Sequence, residues 1–513
     1  MGKKIFYTLT FWILMSAFFQ ISFVYAAQGD KEAGKKIYER RCWWCHGEKG
    51  EGDGPAAGHL NPRPRDFTLG VYKYKTSPPG QVALDEDLFR RISEGLPGTS
   101  MPAWGDVLSE KDRWDLVAHI KTFTDIFDTE KPSGPIETNK PISSSEDSIN
   151  KGKEVFKKAK CYECHGDNGR GDGIKKLKDD WGFREWPRNL TKPWTFRGGT
   201  EPKDIFHRVS TGIPGTQMPA FADPKSETKL SDEERWHVVN FVKSLEDNTR
   251  RLKEGEIVIK GIFMEGDLPQ DVNAPEWNNA PSTAFFMIPQ IIAKERFFTP
   301  TNDGITVRAL FNNKEIAFLL EWDDRTKSMP GDSEAEKLSE GEVFEDGVAI
   351  QLPVTIPTAL QKPYFGHGDK EMGVNMWYWS SGNTSGNQTV KVLDSVGVGS
   401  GKARAADKAD VKGKGEYKAG TWKVVLKRTL TTTNTKDDLQ FELGKFTPVA
   451  FASWDGSNGE KGSKHIMTTW YWLLLEPKAG SKVYTYPAAA IIVLVAGQLW
   501  FANSMRKNFE NRR

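Results

Sequence analysis

The chain has 513 residues, of which 38% are hydrophobic and 27% are charged, and its formal net charge is +2. This length predicts roughly three domains. The near balance of charge argues against nucleic acid and against a strongly electrostatic partner.

The first residues are typical of a secretory signal peptide. Lys3 and Lys4 give a positive start, residues 5–24 are largely apolar, and Val24-Tyr25-Ala26 offers suitable cleavage positions. We expect a signal peptide over residues 1–26, cleaved after Ala26. An uncleaved anchor is the alternative, because the apolar stretch is long for a signal. Either interpretation predicts that the rest of the chain is exported.

A five-residue motif then occurs twice, as Cys42-Trp43-Trp44-Cys45-His46 and as Cys161-Tyr162-Glu163-Cys164-His165. C-x-x-C-H is the attachment signature of c-type haem, in which the cysteines form thioethers and the histidine ligates the iron. A redox-active or zinc-binding C-x-x-C is the alternative, but zinc sites usually pair two such motifs in one tetrahedral site. Here the motifs lie far apart and use all four cysteines of the chain. Two covalent haems are therefore predicted, with electron transfer as the leading function.

The residues after each motif also repeat. The matching segments are 47–54 and 166–173, 64–68 and 187–191, and 95–102 and 212–219. Each repeat closes with an amphipathic helix, predicted to begin at the capping residues Ser109 and Ser231. The order of haem motif, loop and methionine segment resembles the all-α class I cytochrome c domain, over residues 28–127 and 145–248.

This resemblance implies the sixth ligands of both irons. Met101 would complete the site of His46, and Met218 would complete the site of His165. A thioether is a soft, neutral ligand that raises the reduction potential of the iron.

The resemblance also implies groups that support the ligands. The carbonyls of Pro64 and Pro187 would accept the free ring N–H of the two histidines and so orient the rings. Arg65 and Arg188 either pair with haem propionates or are solvated at the surface.

From residue 254 to 477 the apolar pattern alternates, which is typical of half-buried β-strands. Strand-like segments occur at 305–310, 315–322, 346–353, 422–426 and 448–456. A mostly β sandwich is therefore expected. Residues 392–420 are rich in Gly, Lys and Ala and are predicted to be a long loop.

Four of its segments, 317–324, 346–351, 374–379 and 450–456, resemble the haem b-binding gamma subunit of type II molybdenum enzymes of the dimethyl sulfoxide reductase family. Ethylbenzene dehydrogenase and nitrite oxidoreductase belong to that family. The resemblance implies an ethylbenzene dehydrogenase-like haem-binding domain. It also implies a molybdopterin catalytic subunit and an iron–sulfur subunit as partners.

The haem b ligands of that family, a methionine and a lysine, are not present here. His367 stands at the methionine position and Ser380 at the lysine position. His367 is therefore the candidate ligand of a haem b iron, since imidazole binds iron well. A loop histidine without a ligand role is the alternative.

The end of the chain contains a second apolar segment, Tyr486 to Ala502, which is just long enough to span a membrane if its flanks are counted. We expect a transmembrane helix over residues 484–505, with a buried core helix as the alternative. Basic residues follow at once and place the C-terminus in the cytoplasm. They are Arg506, Lys507, Arg512 and Arg513.

These features together predict a multidomain chain with two cytochrome c domains, a β-sandwich and one membrane anchor. Its expected role is to pass electrons between a nitrite oxidoreductase- or nitrate reductase-like molybdoenzyme and the respiratory chain, through a soluble or membrane cytochrome. It would act on the extracytoplasmic side and carry no catalytic residues. A haem enzyme such as a peroxidase or nitrite reductase, or a redox sensor, is the alternative.

Overall fold

The computed structural model describes residues 29–138, 140–358, 361–382, 388–397, 399–405, 408, 410–477 and 482–511. The predicted signal peptide lies outside these residues. So do two of the four basic residues that predict the orientation of the C-terminus, Arg512 and Arg513.

The first repeat folds as a small helical unit. Its helices and 3₁₀ turns are Lys31–Arg41, Trp43–His46, Ala57–His59, Asp85–Glu94, Glu110–Ile120, Lys121–Phe123 and Ile126–Thr129. The first helix, Lys31–Arg41, crosses the helix Glu110–Ile120 at Gly34. A Cβ at Gly34 would lie 2.0 Å from the Asp115 carbonyl oxygen. Because Gly34 has no side chain, the helices approach closely and bury Tyr38 and Leu116 beside the crossing.

The second repeat has the same plan. Its helices and 3₁₀ turns are Glu146–Lys158, Tyr162–His165, Pro193–Thr195, Pro202–Thr211, Asp232–Ser244 and Asn248–Arg250. Its first helix crosses the Asp232–Ser244 helix at Gly152, where a Cβ would lie 2.0 Å from the His237 carbonyl oxygen. The repeat in sequence is therefore also a repeat in structure.

Both closing helices begin at the predicted capping residues. The Ser109 hydroxyl accepts the Asp112 N–H at 3.1 Å, and the Ser109 N–H donates to the Asp112 carboxylate at 3.2 Å. The Ser231 hydroxyl accepts the Glu234 N–H at 3.2 Å, and the Ser231 N–H donates to the Glu234 carboxylate at 2.8 Å. Both capping boxes are thus confirmed.

The second unit departs from the predicted all-α fold by one short hairpin of strands Leu177–Lys178 and Arg184–Glu185. Asp179 stabilises its turn, because Asp179 Oδ1 accepts the N–H groups of Trp181 and Phe183 at 3.1 and 2.9 Å. Strands of two residues are too short to show an alternating pattern, so the sequence did not reveal them.

The third part is built from β-strands, as predicted. They are Val258–Phe263, Thr283–Phe286, Ile288–Pro289, Gly304–Phe311, Glu315–Asp323, Gly347–Pro353, Val374–Ser380, Thr389–Ser395, Lys402–Ala403, Lys412–Tyr417, Thr421–Thr429, Phe446–Trp454, Ile466–Met467 and Tyr471–Leu475. The same part contains the helix Ser333–Leu338 and the 3₁₀ turns Pro275–Asn279 and Gly456–Asn458.

One strand joins the two halves of this sheet. Residues 446–449 of Phe446–Trp454 pair with Tyr471–Leu475, whereas residues 450–454 pair with Gly347–Pro353. The two halves face each other across a core in which aromatic rings meet. Phe318 contacts Trp377 at a centroid distance of 6.0 Å, and Trp322 contacts Trp379 at 6.3 Å. The halves therefore pack as a sandwich.

The predicted loop over residues 392–420 is wrong in part, because three strands cross it. The last of them, Lys412–Tyr417, pairs with Thr421–Thr429. Its Gly415 lies against Trp379, where a Cβ would be 2.3 Å from the indole ring. Glycine in a strand marks such a close approach, but in the sequence it gave the segment the composition of a loop.

The last helix, Lys482–Glu510, contains the predicted anchor. Residues Thr485–Asn508 are long and apolar enough to cross a membrane, and none of that stretch is buried against the rest of the protein. Val493 and Leu494 are 71% and 66% exposed. This exposure argues against the buried core helix that was the alternative, because a large exposed apolar surface marks a membrane or protein contact.

The anchor can be tested by replacing one lipid-facing residue. Leu494→Arg should reduce membrane insertion, because arginine at the centre of a spanning helix costs about 2.5–3.5 kcal/mol. Carbonate extraction of membranes should release more of this variant than of the wild type. Deletion of residues 482–513 should release all of the protein. Retention of the truncated chain in the carbonate pellet would contradict the assignment.

Candidate haem sites

Each C-x-x-C-H motif forms a single helical turn directly after the first helix of its unit. The N–H of His46 donates to the Cys42 carbonyl at 3.0 Å, and that of His165 to the Cys161 carbonyl at 2.9 Å. This i to i+4 spacing places the first cysteine and the histidine on one side of the turn. All four cysteines are free and half-buried. Each pair is thus available for two thioether bonds.

Burial sets the charge state of these side chains. It raises the pKa of the Cys42 and Cys161 thiols to about 12. It lowers the pKa of the His46 and His165 rings, so both imidazoles are neutral near pH 7. A neutral imidazole has a free lone pair, which is what an iron ligand requires.

A backbone carbonyl orients each histidine, although not the predicted one. The ring Nδ1 of His46 lies 2.9 Å from the Arg65 carbonyl oxygen, and that of His165 lies 2.9 Å from the Arg188 carbonyl oxygen. The prediction of Pro64 and Pro187 was therefore wrong by one residue in both repeats.

The glycine-rich loop explains this shift. The Pro64 carbonyl oxygen faces Gly52, and the Pro187 carbonyl oxygen faces Gly171; a Cβ on either glycine would lie 2.7 Å from it. Successive groups of an extended chain point to opposite sides. Because the proline carbonyl faces the loop, the next carbonyl faces the histidine.

The two methionine segments have matching backbone structures. The Leu96 N–H donates to the Met101 carbonyl at 3.1 Å, and the Met101 N–H donates to the Thr99 hydroxyl at 3.1 Å. The same two bonds recur around Met218, at 3.1 and 3.2 Å. The ligand role of both methionines stays a prediction, and their equivalent loops support assigning them the same role.

A cavity of about 1440 Å³ brings the predicted ligands of the second site together. Its lining includes Cys161, Cys164, His165 and Met218. Apolar side chains from the core of the second unit complete this part of the wall, among them Phe156, Ile205, Val209 and Val242. An apolar cavity with two thiols, an imidazole and a thioether suits a haem group. The predicted ligands of the first site are not among the lining residues.

Unpaired arginines in this cavity also suit a haem group. Arg65 and Arg188 line it, and among the described residues neither guanidinium has a hydrogen bond or an ion pair. Burial lowers the pKa of both, that of Arg188 to about 10. A half-buried cation without a hydrogen bond or ion pair is stabilised by an anionic partner. Haem propionates would be such partners, and propionate pairing of these two residues stays a prediction.

Trp181, which the sequence analysis did not single out, lies between the two cytochrome units. Its ring is 4.5 Å from the guanidinium carbon of Arg65, whose carbonyl orients the first histidine. The same ring covers Gly215, where a Cβ would lie 2.3 Å from it. Gly215 belongs to the methionine segment of the second unit. Trp181 therefore connects the histidine side of one site to the methionine side of the other.

Further polar contacts fix the two units to each other. Arg90 forms an ion pair with Asp204, with an Nη2 to Oδ2 distance of 3.0 Å. Arg208 donates to the Lys73 carbonyl at 2.9 Å. Such charge-assisted bonds across a partly buried interface hold the relative position of the units.

The β-sandwich contacts the glycine-rich loop that follows the haem motif of the second unit. Arg325 Nε donates to the Gly171 carbonyl at 2.8 Å, and its Nη2 donates to the Gly173 carbonyl at 3.1 Å. Asp323 forms ion pairs with Lys192 and Arg250 on the same side. All three folded parts thus meet at the second site.

His367 lies beside a second histidine that the sequence analysis missed. The centroids of the His367 and His465 rings are 5.8 Å apart. His367 Nδ1 is 2.9 Å from Gln351 Oε1, and its φ of 71° is in the left-handed region. Within the described chain, the buried Nε2 of His465 has no hydrogen-bond partner. Ser380, at the lysine position, contacts the Thr389 hydroxyl instead.

The two rings could hold an iron or another metal ion. Burial, and then the neighbouring His367, lowers the pKa of His465 to about 4, so this ring is a neutral donor. The large cavity does not reach either ring. His465 is far from His367 in sequence and belongs to no recognisable motif, so only the fold could reveal the pair.

Three family models match the chain. The cytochrome C oxidase cbb3-type subunit III model matches residues 29–120, and the cytochrome c model matches residues 149–246. The ethylbenzene dehydrogenase model matches residues 274–405 and 393–465. A cytochrome c of Guizotia abyssinica is 33% identical over 111 residues, which are 20% of this chain and 98% of that protein. The chain belongs to the cytochrome c family in its first two units and carries a domain of the ethylbenzene dehydrogenase family.

Two further relatives are subunits of reductases. A protein of Haloferax mediterranei, described as a respiratory nitrate reductase haem subunit, is 24% identical over 216 residues, or 42% of this chain and 71% of that protein. The chlorate reductase gamma subunit of Ideonella dechloratans is 22% identical over 222 residues, or 43% of this chain and 85% of that protein. These matches confirm the predicted family of cytochrome c domains joined to a gamma-subunit domain.

The sixth ligands can be tested one site at a time. Met101→Ala and Met218→Ala should each remove the near-infrared sulfur-to-iron charge-transfer band of one haem. Each should lower the potential of that haem by on the order of 0.1 V, because axial ligands tune haem potentials over about 0.8 V. Met264→Ala, in the β-sandwich, is the matched control. An unchanged spectrum in Met101→Ala or Met218→Ala would place the ligand elsewhere.

Proposed function

We propose that this chain is the membrane-anchored electron-transfer subunit of a molybdenum-dependent respiratory enzyme. One observation carries the proposal: the second cytochrome unit places both cysteines, the histidine and the methionine around one cavity, and that cavity lies where the three folded parts meet. A site that contacts two other parts of the same chain is suited to relaying electrons between them.

Two haem c groups, attached at Cys42 and Cys45 and at Cys161 and Cys164, would supply reversible one-electron exchange between ferrous and ferric iron. The chain itself supplies ligands in a fixed orientation. The Arg65 and Arg188 carbonyls hold the two rings with Nε2 free, which strengthens the histidines as ligands. The guanidinium groups of the same two arginines supply positive charge inside the cavity. The ligands and the charged groups around the haems would then move little when one electron arrives.

Contacts between the folded parts support a route for the electrons. Arg325 joins the β-sandwich to the glycine loop of the second haem motif. Trp181 joins the methionine side of the second unit to the histidine side of the first. Both contacts are made directly between protein atoms. The second site would therefore stand between the β-sandwich and the first site.

The partners follow from the relatives. The matched proteins of Haloferax and Ideonella are subunits of nitrate and chlorate reductases. We infer a molybdopterin catalytic subunit and an iron–sulfur subunit that contact the β-sandwich, in a complex of the nitrite oxidoreductase or nitrate reductase type. A soluble or membrane cytochrome would exchange electrons with the first unit. The helix Lys482–Glu510 would hold the complex at the extracytoplasmic face, with its tail in the cytoplasm.

The haem-enzyme alternative requires an open iron position for substrate. Met218 lines the same cavity as His165, and its loop matches that of Met101. Both c-haem sites thus have a candidate for the last position, which favours electron transfer over peroxidase or nitrite reductase chemistry.

Isolation of the tagged full chain from its native membranes tests this function. The preparation should contain molybdenum in a fixed ratio to the chain, together with two covalent haems by pyridine haemochrome assay. Its haem absorption bands should change when nitrite, nitrate or chlorate is added. Cys161→Ala should halve the covalent haem content and slow that change. Two haems without molybdenum, and without any response to the three anions, would contradict the proposed role.

We further propose that His367 and His465 hold the iron of a haem b in the β-sandwich. His367→Ala and His465→Ala should each reduce the acid–acetone-extractable haem at least several-fold, because each variant lacks one of the two proposed iron ligands. Both covalent haems should remain. His59→Ala, an exposed histidine of the first unit, should leave the extractable haem unchanged. If the wild-type chain contains no extractable haem, the β-sandwich is a docking scaffold and electrons pass from the partner to the second c-haem.

A further inference from the structure

A group of three buried carboxylates lies at one end of the β-sandwich. Asp324 follows the strand Glu315–Asp323, Asp346 precedes Gly347–Pro353, and Asp455 follows Phe446–Trp454. One carboxylate oxygen from each lies within 4.8 Å of the other two. The three residues are 4%, 0% and 5% exposed, respectively. The ends of three separate strands thus place three acidic side chains close together inside the protein.

Neighbouring groups donate hydrogen bonds to two of them. Asp346 accepts the Ser328 N–H at 2.6 Å, the Gly456 N–H at 2.9 Å and the Trp422 indole N–H at 2.9 Å. Asp455 likewise accepts hydrogen bonds from the Ser457 N–H and hydroxyl, the Asn458 N–H and the Thr301 hydroxyl. These hydrogen bonds fix the orientation of both carboxylates.

Among the described residues, Arg184 and Arg325 lie near enough to Asp455 to interact with its charge, but not within ion-pair distance. No described lysine, arginine or histidine forms an ion pair with any of the three carboxylates. Asp324 Oδ2 is buried, and no described group donates a hydrogen bond to it, while Oδ1 accepts only the Thr326 N–H at 3.3 Å. Unpaired buried charge is costly, and proteins resolve the cost with a bound metal ion or with a proton.

We propose that Asp324, Asp346 and Asp455 bind a divalent cation of the Ca²⁺ class. Ca²⁺ takes six to eight oxygen ligands at 2.3–2.6 Å, so oxygens around one ion lie within roughly 5 Å of each other. The three carboxylates meet this condition. The free Oδ2 of Asp324 supplies a ligand atom that has no other partner. Water or nearby carbonyls would complete the coordination.

The cation would stabilise the end of the β-sandwich that contacts the second haem unit. Asp324 is followed by Arg325, which donates to the carbonyls of Gly171 and Gly173. The Asp324 carbonyl also accepts the Tyr417 hydroxyl at 3.2 Å. Binding of a cation to Asp324 would therefore fix the segment that joins the two parts. The proposal does not depend on the haems or on a partner enzyme.

A proton shared between carboxyls is the competing account. Burial and the mutual repulsion of the acids raise the pKa of Asp324 and Asp346. The buried Glu460 accepts the Asp455 N–H at 3.2 Å and adds a fourth acid nearby. The two accounts differ in one respect: only a bound cation makes stability depend on metal in the buffer.

Metal analysis and thermal unfolding of the full-length protein distinguish the two accounts. After dialysis into metal-free buffer with added CaCl₂, the wild type should retain about one calcium per chain. Excess EDTA should remove it and lower the melting temperature by about 5 °C or more, as expected when a ligand at a hundredfold excess over its Kd is withdrawn. MgCl₂ should restore less of the loss than CaCl₂.

Asp324→Asn removes the unpartnered carboxylate with little change in shape. This variant should lose the calcium and show the same melting temperature in EDTA and in CaCl₂. Asp267→Asn, an exposed aspartate of the same sandwich, should behave like the wild type. If the wild type binds no calcium and melts identically in EDTA and CaCl₂, the carboxyls share protons and the proposal is wrong. The wild-type measurement decides this even if Asp324→Asn fails to fold. The covalent haem content, measured in parallel, should stay constant throughout.

Discussion

The hydrogen bond from each motif histidine to a backbone carbonyl holds the rest of the site together. It ties the one-turn helix of the motif to the segment that contains Arg65 or Arg188. Because the preceding proline carbonyl faces a glycine of the loop, that loop is held between motif and segment. A side chain at Gly52 or Gly171 would separate them and misplace the ring. Orientation of the ligand is therefore a property of three segments together.

The segment that orients each histidine also has an electrostatic role. The segment that supplies the carbonyl also supplies the guanidinium of Arg65 or Arg188, and both face the cavity between the units. Burial alone would make such unpaired cations costly. Their presence is explained if the cavity normally holds anionic groups. The same short stretch of chain would then orient an iron ligand and balance the charge of the group that contains the iron.

Repeated features were predictable from the sequence, and features made by tertiary contact were not. The capping boxes at Ser109 and Ser231 follow from local spacing and were confirmed. The strand Lys412–Tyr417 was missed because Gly415 is required by the Trp379 ring, which is remote in sequence. The choice of Arg65 over Pro64 as acceptor depends on which way a carbonyl points, and composition does not encode that direction. His465 and Asp455 became visible as site residues only when strands brought them to their partners.

The two cytochrome units are similar in sequence, yet their surroundings differ. The second unit has two neighbours, on opposite sides of its haem site. It contacts the β-sandwich through Arg325 of the sandwich, and it contacts the first unit through its own Trp181. The first unit also meets the β-sandwich, between His59 and Phe298, whose ring centroids are 5.0 Å apart. The two sites repeat in local structure, but their contacts with the rest of the chain are unequal. The hairpin that carries Trp181 belongs to the second unit alone among the described strands. The two sites therefore repeat in local structure but differ in what surrounds them.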